Sequence, residues 1–243
     1  MAVSRYVVTA TWDDAPHLTM DMRDSLWASI PPYQRDARSK GIPQLGSGAI
    51  YQVSEDDVKV SDFEIPTHWP RAFGMDTGWE WTAAVWGAWD RDVDVLYIYS
   101  VYKRGQVEPP VHAEAVKARG EWIRGVGDAA AINAYDGRSF MQIYGDLGID
   151  VELPDKAVEA GIQRVWERLS AGKLKVFASC GPWFDEYRLY RRDERGRIVK
   201  EHDHLQDATR YLVVSGLDRA RTKPVPKPYN PTQAFHGGSG WMA

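Results

Sequence analysis

The sequence predicts an α/β fold: a mixed sheet of five strands that opens with an antiparallel meander and is flanked by helices. Three observations carry that expectation. Runs at Ala72–Met75, Thr82–Ala88 and Val93–Tyr102 are rich in aromatic and β-branched residues and are joined by a glycine turn and by the tight polar turn Trp89-Asp90-Arg91-Asp92. Two more strand-like runs, Glu121–Gly127 and Ile149–Leu153, alternate with segments of helical pattern. Among those segments, Val158, Ile162, Val165 and Leu169 recur at intervals of four, three and four, which puts them on one helix face.

Taken in order, Arg5–Trp12 reads as a strand, and Asp13–Leu18 breaks it. A helix starts at Thr19, with Met22, Leu26 and Ile30 as its apolar stripe and Pro31-Pro32 as its stop. A short basic helix over Tyr33–Lys40 ends at Gly41. The loop Gly41–Gly48 carries three glycines but no following Gly-Lys-Ser/Thr, so it reads as a connector and not as a phosphate cradle. Asp56–Pro70 is polar and broken by prolines, which places a domain boundary near His68-Trp69-Pro70. The expected organisation is therefore a junction segment over 1–70, a main domain over 71–216 and a flexible basic tail rich in Pro and Gly over 217–243.

Within the main domain, a helix follows Pro109-Pro110 over Val111–Arg119. Another spans Ser139–Leu147, with Phe140, Met141, Tyr144 and Leu147 on one face. Asp155 caps the helix that runs through Leu169 and ends at Gly172, and Leu174–Ala178 is extended. Arg188–Lys200 reads as a hairpin turning at Asp193-Glu194-Arg195-Gly196, with Arg191, Arg192, Arg195, Arg197 and Lys200 as candidate phosphate contacts or simply a charged, solvated hairpin. The last helix starts near Asp203 and reaches Ser215-Gly216. It places Leu205, Ala208 and Leu212 opposite Asp203 and Asp207, so its apolar side faces the sheet.

Composition narrows the class. With 44% hydrophobic and 26% charged residues the chain has the balance of a globular protein, and no apolar run reaches the ~20 residues of a membrane span. One cysteine, Cys180, excludes an internal disulfide and every multi-cysteine zinc site, which points to a reducing, cytoplasmic setting. A formal charge of -4 excludes an overall basic signature, so any nucleic-acid contact rests on local clusters.

Four acids stand out. Asp76 interrupts an apolar strand pattern, where a carboxylate needs a partner or a metal unless it merely caps the turn at Gly78. Asp128 ends a strand, where ligands of α/β sheets collect, and Asp136 in Tyr135-Asp136-Gly137 is the rival candidate for its role. Asp203 and Asp207 open the last helix, as a cap and an ion-pair partner of Arg210, or as further ligands. Clustered carboxylates suit hard divalent cations, and a pair of such ions about 3.5–4 Å apart can activate water and stabilise a leaving oxygen in phosphodiester cleavage. His202 and His204 are two residues apart and do not share a helix face for a metal.

A meander with a central Asp, a strand-end Asp and a C-terminal helix opening Asp-His-x-x-Asp-Ala-x-Arg-Tyr (203–211) resembles the nuclease domain of phage terminase large subunits. The stretches 11–18 and 41–48 resemble the junction that follows the terminase ATPase domain. The resemblance implies a ribonuclease H-like five-stranded mixed sheet, meander plus parallel strands. It also implies a divalent-metal-dependent endonuclease that cuts concatemeric double-stranded viral DNA during genome packaging. By position it makes Asp76, Asp128 and Asp203 catalytic, and makes them with Asp207 the ligands of Mg²⁺ or Mn²⁺ in a two-metal site. The middle acid departs from the family pattern, with Gly127-Asp128-Ala129-Ala130 in place of Asp-Pro-Ala, so Asp136 stays open. The implied partners are double-stranded DNA, the portal protein, the small terminase subunit and a terminase ATPase domain, in the cytoplasm of an infected bacterium and with no membrane. No Gly-x-x-x-x-Gly-Lys-Ser/Thr occurs, so this stretch is expected to be a nuclease piece whose ATPase domain lies elsewhere. The alternatives are a DNA-holding or docking module of the packaging motor without chemistry, and another ribonuclease H-like nuclease such as a resolvase.

Overall fold

The computed structural model of the protein describes residues 10–30, 35–41, 48–128, 137–155 and 157–225. Seven strands form one mixed sheet: β1 (Lys59–Val60), β2 (Arg71–Asp76), β3 (Thr82–Asp90), β4 (Val95–Arg104), β5 (Arg124–Asp128), β6 (Val151–Glu152) and β7 (Leu174–Phe177), in the order β1-β7-β4-β3-β2-β5-β6. β2, β3 and β4 are the antiparallel meander, while β5, β6, β7 and β1 join in parallel. β3 lies at the centre and is buried from Thr82 to Ala88, as its nearly unbroken apolar run requires of a strand covered on both faces.

Alternate residues of β3 feed two separate cores. Ala83 and Val85 pack with Leu96, Ile98, Leu174 and Val176 beneath α6 (Val158–Ser170), α7 (Gly181–Leu189) and α8 (His204–Tyr211). Ala84 and Trp86 pack with Phe73 and Met75 beneath α4 (Pro109–Lys117) and α5 (Phe140–Asp146). Of the α6 face predicted from its spacing, Ile162, Val165 and Leu169 are in the core, while Val158 in the first turn is exposed. α5 begins where Ser139 and Gln142 form a reciprocal capping box. α6 ends as expected, with Gly172 at φ 69 in the left-handed region.

Several expectations are corrected. The α/β class and the meander stand, but the sheet has seven strands and not five, because the extended run at Leu174–Phe177 is a full member and brings β1 with it. The sheet therefore starts at Lys59, ahead of the boundary expected at residue 70, and Tyr51 and Val58 lie in its core. At the other end, Arg221 bridges Arg71 and Ala220 is buried, so the fold continues past residue 216. Trp12–Asp14 is a turn of 3₁₀ helix and not strand, since Asp14 accepts the Thr11 N–H (2.8 Å) and closes a capping box; residues 5–9 lie outside the described residues. α1 (Met20–Ser29) starts after its Thr19 cap, yet Met22 and Leu26 stay exposed and only Ile30 is buried; the short helices α2 (Arg35–Lys40) and α3 (Glu55–Val58) follow it. The expected hairpin at Arg188–Lys200 is a single bridge, Arg192 to Ile198, because Arg188 and Leu189 complete α7.

Candidate active site

The acids lie at one end of the sheet, where β2 and β5 run parallel and pair Asp76 with Asp128 as the last residues of their strands. Thr77 Oγ1 donates to the Asp128 carbonyl (2.7 Å), tying the two strand ends together. α8 crosses β2 at closest approach. A Cβ at Gly74 would lie 2.0 Å from the Ala208 carbonyl oxygen, so only glycine lets the helix backbone settle there. That seat brings His204, in the first turn of α8, against the end of β2, where its Nδ1–H donates to Asp76 Oδ2 (2.9 Å). Burial raises the Asp76 pKa above the ordinary carboxylate value; the His204 bond opposes the rise, and the charges of Asp207 and Asp203 add to it. The bond to Asp76 in turn raises His204, against its own burial.

Asp203 occupies the N-cap position of α8 but does not cap it. The cap comes from α7: buried Glu186 accepts the Leu205 N–H through Oε2 (2.6 Å) and the Lys103 ammonium through Oε1 (2.5 Å). Trp183 of α7 holds the same helix, donating Nε1–H to Thr209 Oγ1 (2.8 Å). Asp203 and Asp207, both buried, turn instead to Lys200, whose Nζ lies 3.0 Å from Oδ2 of each. Asp207 also receives Arg210 Nη2 at 3.0 Å, the i, i+3 pair expected from spacing. Partial burial disfavours the Lys200 ammonium, but Asp207 and Asp203 outweigh it and raise its pKa.

The structure thus brings Asp76 beside Asp128, and Asp76 within the field of Asp203 and Asp207. It does not gather Asp76, Asp128 and Asp203 around one point: among the described residues no three His, Cys, Asp or Glu side chains are placed to hold one ion. The physical reason is visible for three of the acids, since Asp76 faces His204 while Asp203 and Asp207 face Lys200. Asp136 lies outside the described residues. Of the basic residues, Arg192 forms a forked pair with Glu159 (2.9 and 2.5 Å), Arg197 reaches Asp193 (3.1 Å) and Arg191 lies 3.9 Å from Glu201, while Arg195 is exposed at the turn.

Sequence reasoning missed His204 and Glu186, and read Lys200 as a DNA contact instead of a partner of the acids. His204 fails as half of a metal-binding pair, although its place next to Asp203 is a usable signal. The spacing Lys200-x-x-Asp203 suits an ion pair. Glu186 carries no local signal, because its partners Lys103 and Leu205 are distant in sequence.

A meander continued by parallel strands, covered by helices on both faces and carrying acids at adjacent strand ends, defines a ribonuclease H-like α/β domain. A family model described as a terminase RNaseH-like domain matches residues 73–215. The chain is 34% identical over 254 aligned residues to the terminase large subunit of Salmonella phage P22, covering 95% of this chain and 50% of that protein. Its fold matches the P22 large terminase nuclease domain with a TM-score of 0.67 at 33% identity, over 73% of this chain and 96% of that one. It also matches the large terminase nuclease of thermophilic phage G20c with bound magnesium, with a TM-score of 0.54 over 70% of this chain and 98% of that one; at 17% identity this likeness is one of fold. The chain belongs to the terminase large-subunit family, as an RNase H-like domain of it. It spans about half the length of the curated relatives it matches. No helix among the described residues is long and apolar enough to cross a membrane.

Proposed function

We propose that this domain is a divalent-metal-dependent endonuclease that cleaves double-stranded viral DNA concatemers during genome packaging. The observation that carries the reading is the pairing of Asp76 and Asp128 at the ends of β2 and β5, with the acids of α8 close enough to act on Asp76. Family membership supports it, and so does a fold shared with a terminase nuclease that holds magnesium.

The donor set fits a hard cation, being carboxylate oxygens, and a cation of the protein's own, the Lys200 ammonium, already sits between two of them. Asp76, Asp128, Asp203 and Asp207 would hold Mg²⁺ or Mn²⁺, with Asp136 the alternative to Asp128. When bound, the metal supplies an activated water and stabilisation of the leaving oxygen. The chain's own residues prepare the ground. His204 fixes the orientation of the Asp76 carboxylate, Thr77 fixes the Asp128 backbone, and Glu186 holds the start of α8 in place. Arg191, Arg192, Arg195 and Arg197 would contact phosphates without reading sequence, while Lys200 is taken up by Asp203 and Asp207. In the whole protein the partners would be an ATPase domain, the portal and the small terminase subunit.

A second reading, a DNA-holding or docking module without chemistry, is favoured by one observation: no three acidic or imidazole groups among the described residues are placed to hold one ion. Plasmid nicking with Mn²⁺ separates the two. The nuclease reading expects cleavage by the intact chain and its loss in Asp76→Asn at unchanged circular dichroism. Full activity in Asp76→Asn removes the metal assignment. Duplex binding without cleavage by the intact chain gives the second reading.

A further inference from the structure

We infer that Lys200 is an internal cation which competes with a divalent ion for the carboxylates of Asp203 and Asp207. The inference rests on the metal-site reading above and goes beyond it, because it says what the ion must displace. Lys200 Nζ is 3.0 Å from Oδ2 of both acids, so one ammonium bridges the two oxygens that a cation at this place would take. Arg210 holds the other oxygen of Asp207, with Nη2 at 3.0 Å and Nε at 3.3 Å from Oδ1. Two carboxylates facing two cations form a neutral group, and a divalent ion gains far less from a neutral group than from a bare pair of acids.

The exchange is physically open on one side only. The Lys200 side chain is 63% exposed and can swing into water, whereas Asp203, Asp207 and Arg210 are buried and stay. The neighbouring Tyr190 ring feels both carboxylates, and its hydroxyl is buried with no hydrogen-bond partner. An unused polar group is thus buried within the field of the two acids. Lys200 leaving and a metal entering is then a swap of one cation for another at fixed acids. The lysine sets how much metal the site requires before it fills.

The test measures Mn²⁺ binding by calorimetry on the full chain, as wild type, Lys200→Gln and Lys200→Arg. Removal of the competing charge in Lys200→Gln is expected to tighten Mn²⁺ binding by about tenfold or more, while Lys200→Arg stays near wild type. A second readout needs no variant: lysine-selective acylation followed by peptide mass spectrometry should label Lys200 faster once Mn²⁺ is added. Equal or weaker Mn²⁺ binding in Lys200→Gln, or labelling that Mn²⁺ leaves unchanged or slows, overturns the inference. If that happens while wild type still binds Mn²⁺ and cuts DNA, the nuclease reading survives. If neither protein binds Mn²⁺ and neither cuts, both fall together.

Discussion

His204 Nδ1 lies 2.9 Å from Asp76 Oδ2, and this one bond joins the first turn of α8 to the end of β2. Asp76 is held where burial disfavours its charge, and His204 is the group that offsets the cost. The His204 N–H thus supports a negative charge that burial opposes.

The pair makes stability depend on pH, with a definite sign. His204 is raised from 6.5 on folding, so its contribution is complete below pH 6.5 and fades as pH rises through its folded value. Asp76, also raised, acts in the same direction. Urea unfolding of the metal-free protein should show stability falling from pH 6.5 upward, and His204→Gln should flatten that limb while costing about 1–2 kcal/mol at pH 6. A limb of equal slope in the variant assigns the titration to other groups.

Glu186 is buried and serves two partners, the Leu205 N–H and the Lys103 ammonium. Glu186→Ala leaves both unmet in a water-poor site, and about 3 kcal/mol of unfolding free energy should be lost. Glu186→Gln keeps an oxygen for Leu205 and should lose less. Because the helix start carries Asp203 and His204, the alanine variant should also lose cleavage more steeply than it loses stability at 25 °C. Equal stability of the two variants would show that the charge, not the cap, is what matters.

Gly74→Ala tests how α8 is seated. Its Cβ would meet the Ala208 carbonyl oxygen at 2.0 Å and the Leu212 nitrogen at 2.8 Å, both backbone atoms that cannot rotate away. The helix must lift from β2, with a cost of at least about 3 kcal/mol and separation of His204 from Asp76. The variant should unfold at much lower urea and show a shifted His204 imidazole resonance. Near-wild-type stability would mean that helix and strand slide past each other at little cost.

These contacts mark the limit of what local pattern can reveal. The meander and α6 were legible because the unbroken apolar run of β3 and the four-three-four spacing at Val158–Leu169 are local signals set by burial on two faces or one. β1 has two residues, too short for any periodicity, and is a strand only through β7, whereas β6 lies within the run Ile149–Leu153 that reads as a strand. α7 was hidden by Pro182, which reads as a breaker but stands in the first turn, where a proline costs nothing. At the site, Asp76, Asp128, Asp203 and Asp207 were legible as acids in unusual places. Which of them face His204 and which face Lys200 depends on how α8 crosses β2, a crossing that glycine at 74 permits but no local pattern specifies.

The basic turn after α7 offers the last prediction. Arg192 is already engaged by Glu159 and Arg197 by Asp193, whereas Arg195 is exposed at the tip. A phosphate must therefore compete for Arg192, while Arg195 meets it at no such loss. If the turn grips DNA, replacing Arg191, Arg192 and Arg195 together with alanine should weaken binding to unrelated duplexes equally. The slope of log affinity against log salt should fall by roughly 0.9 for each phosphate that is no longer neutralised. Among single variants, Arg195→Ala should cost more affinity than Arg192→Ala. The Glu159 pair should matter little to folding, because Glu159 is 69% exposed and such pairs contribute less than about 1 kcal/mol. Binding measured by fluorescence anisotropy across a series of salt concentrations decides it: a triple variant with the wild-type slope leaves this turn without a role in holding DNA.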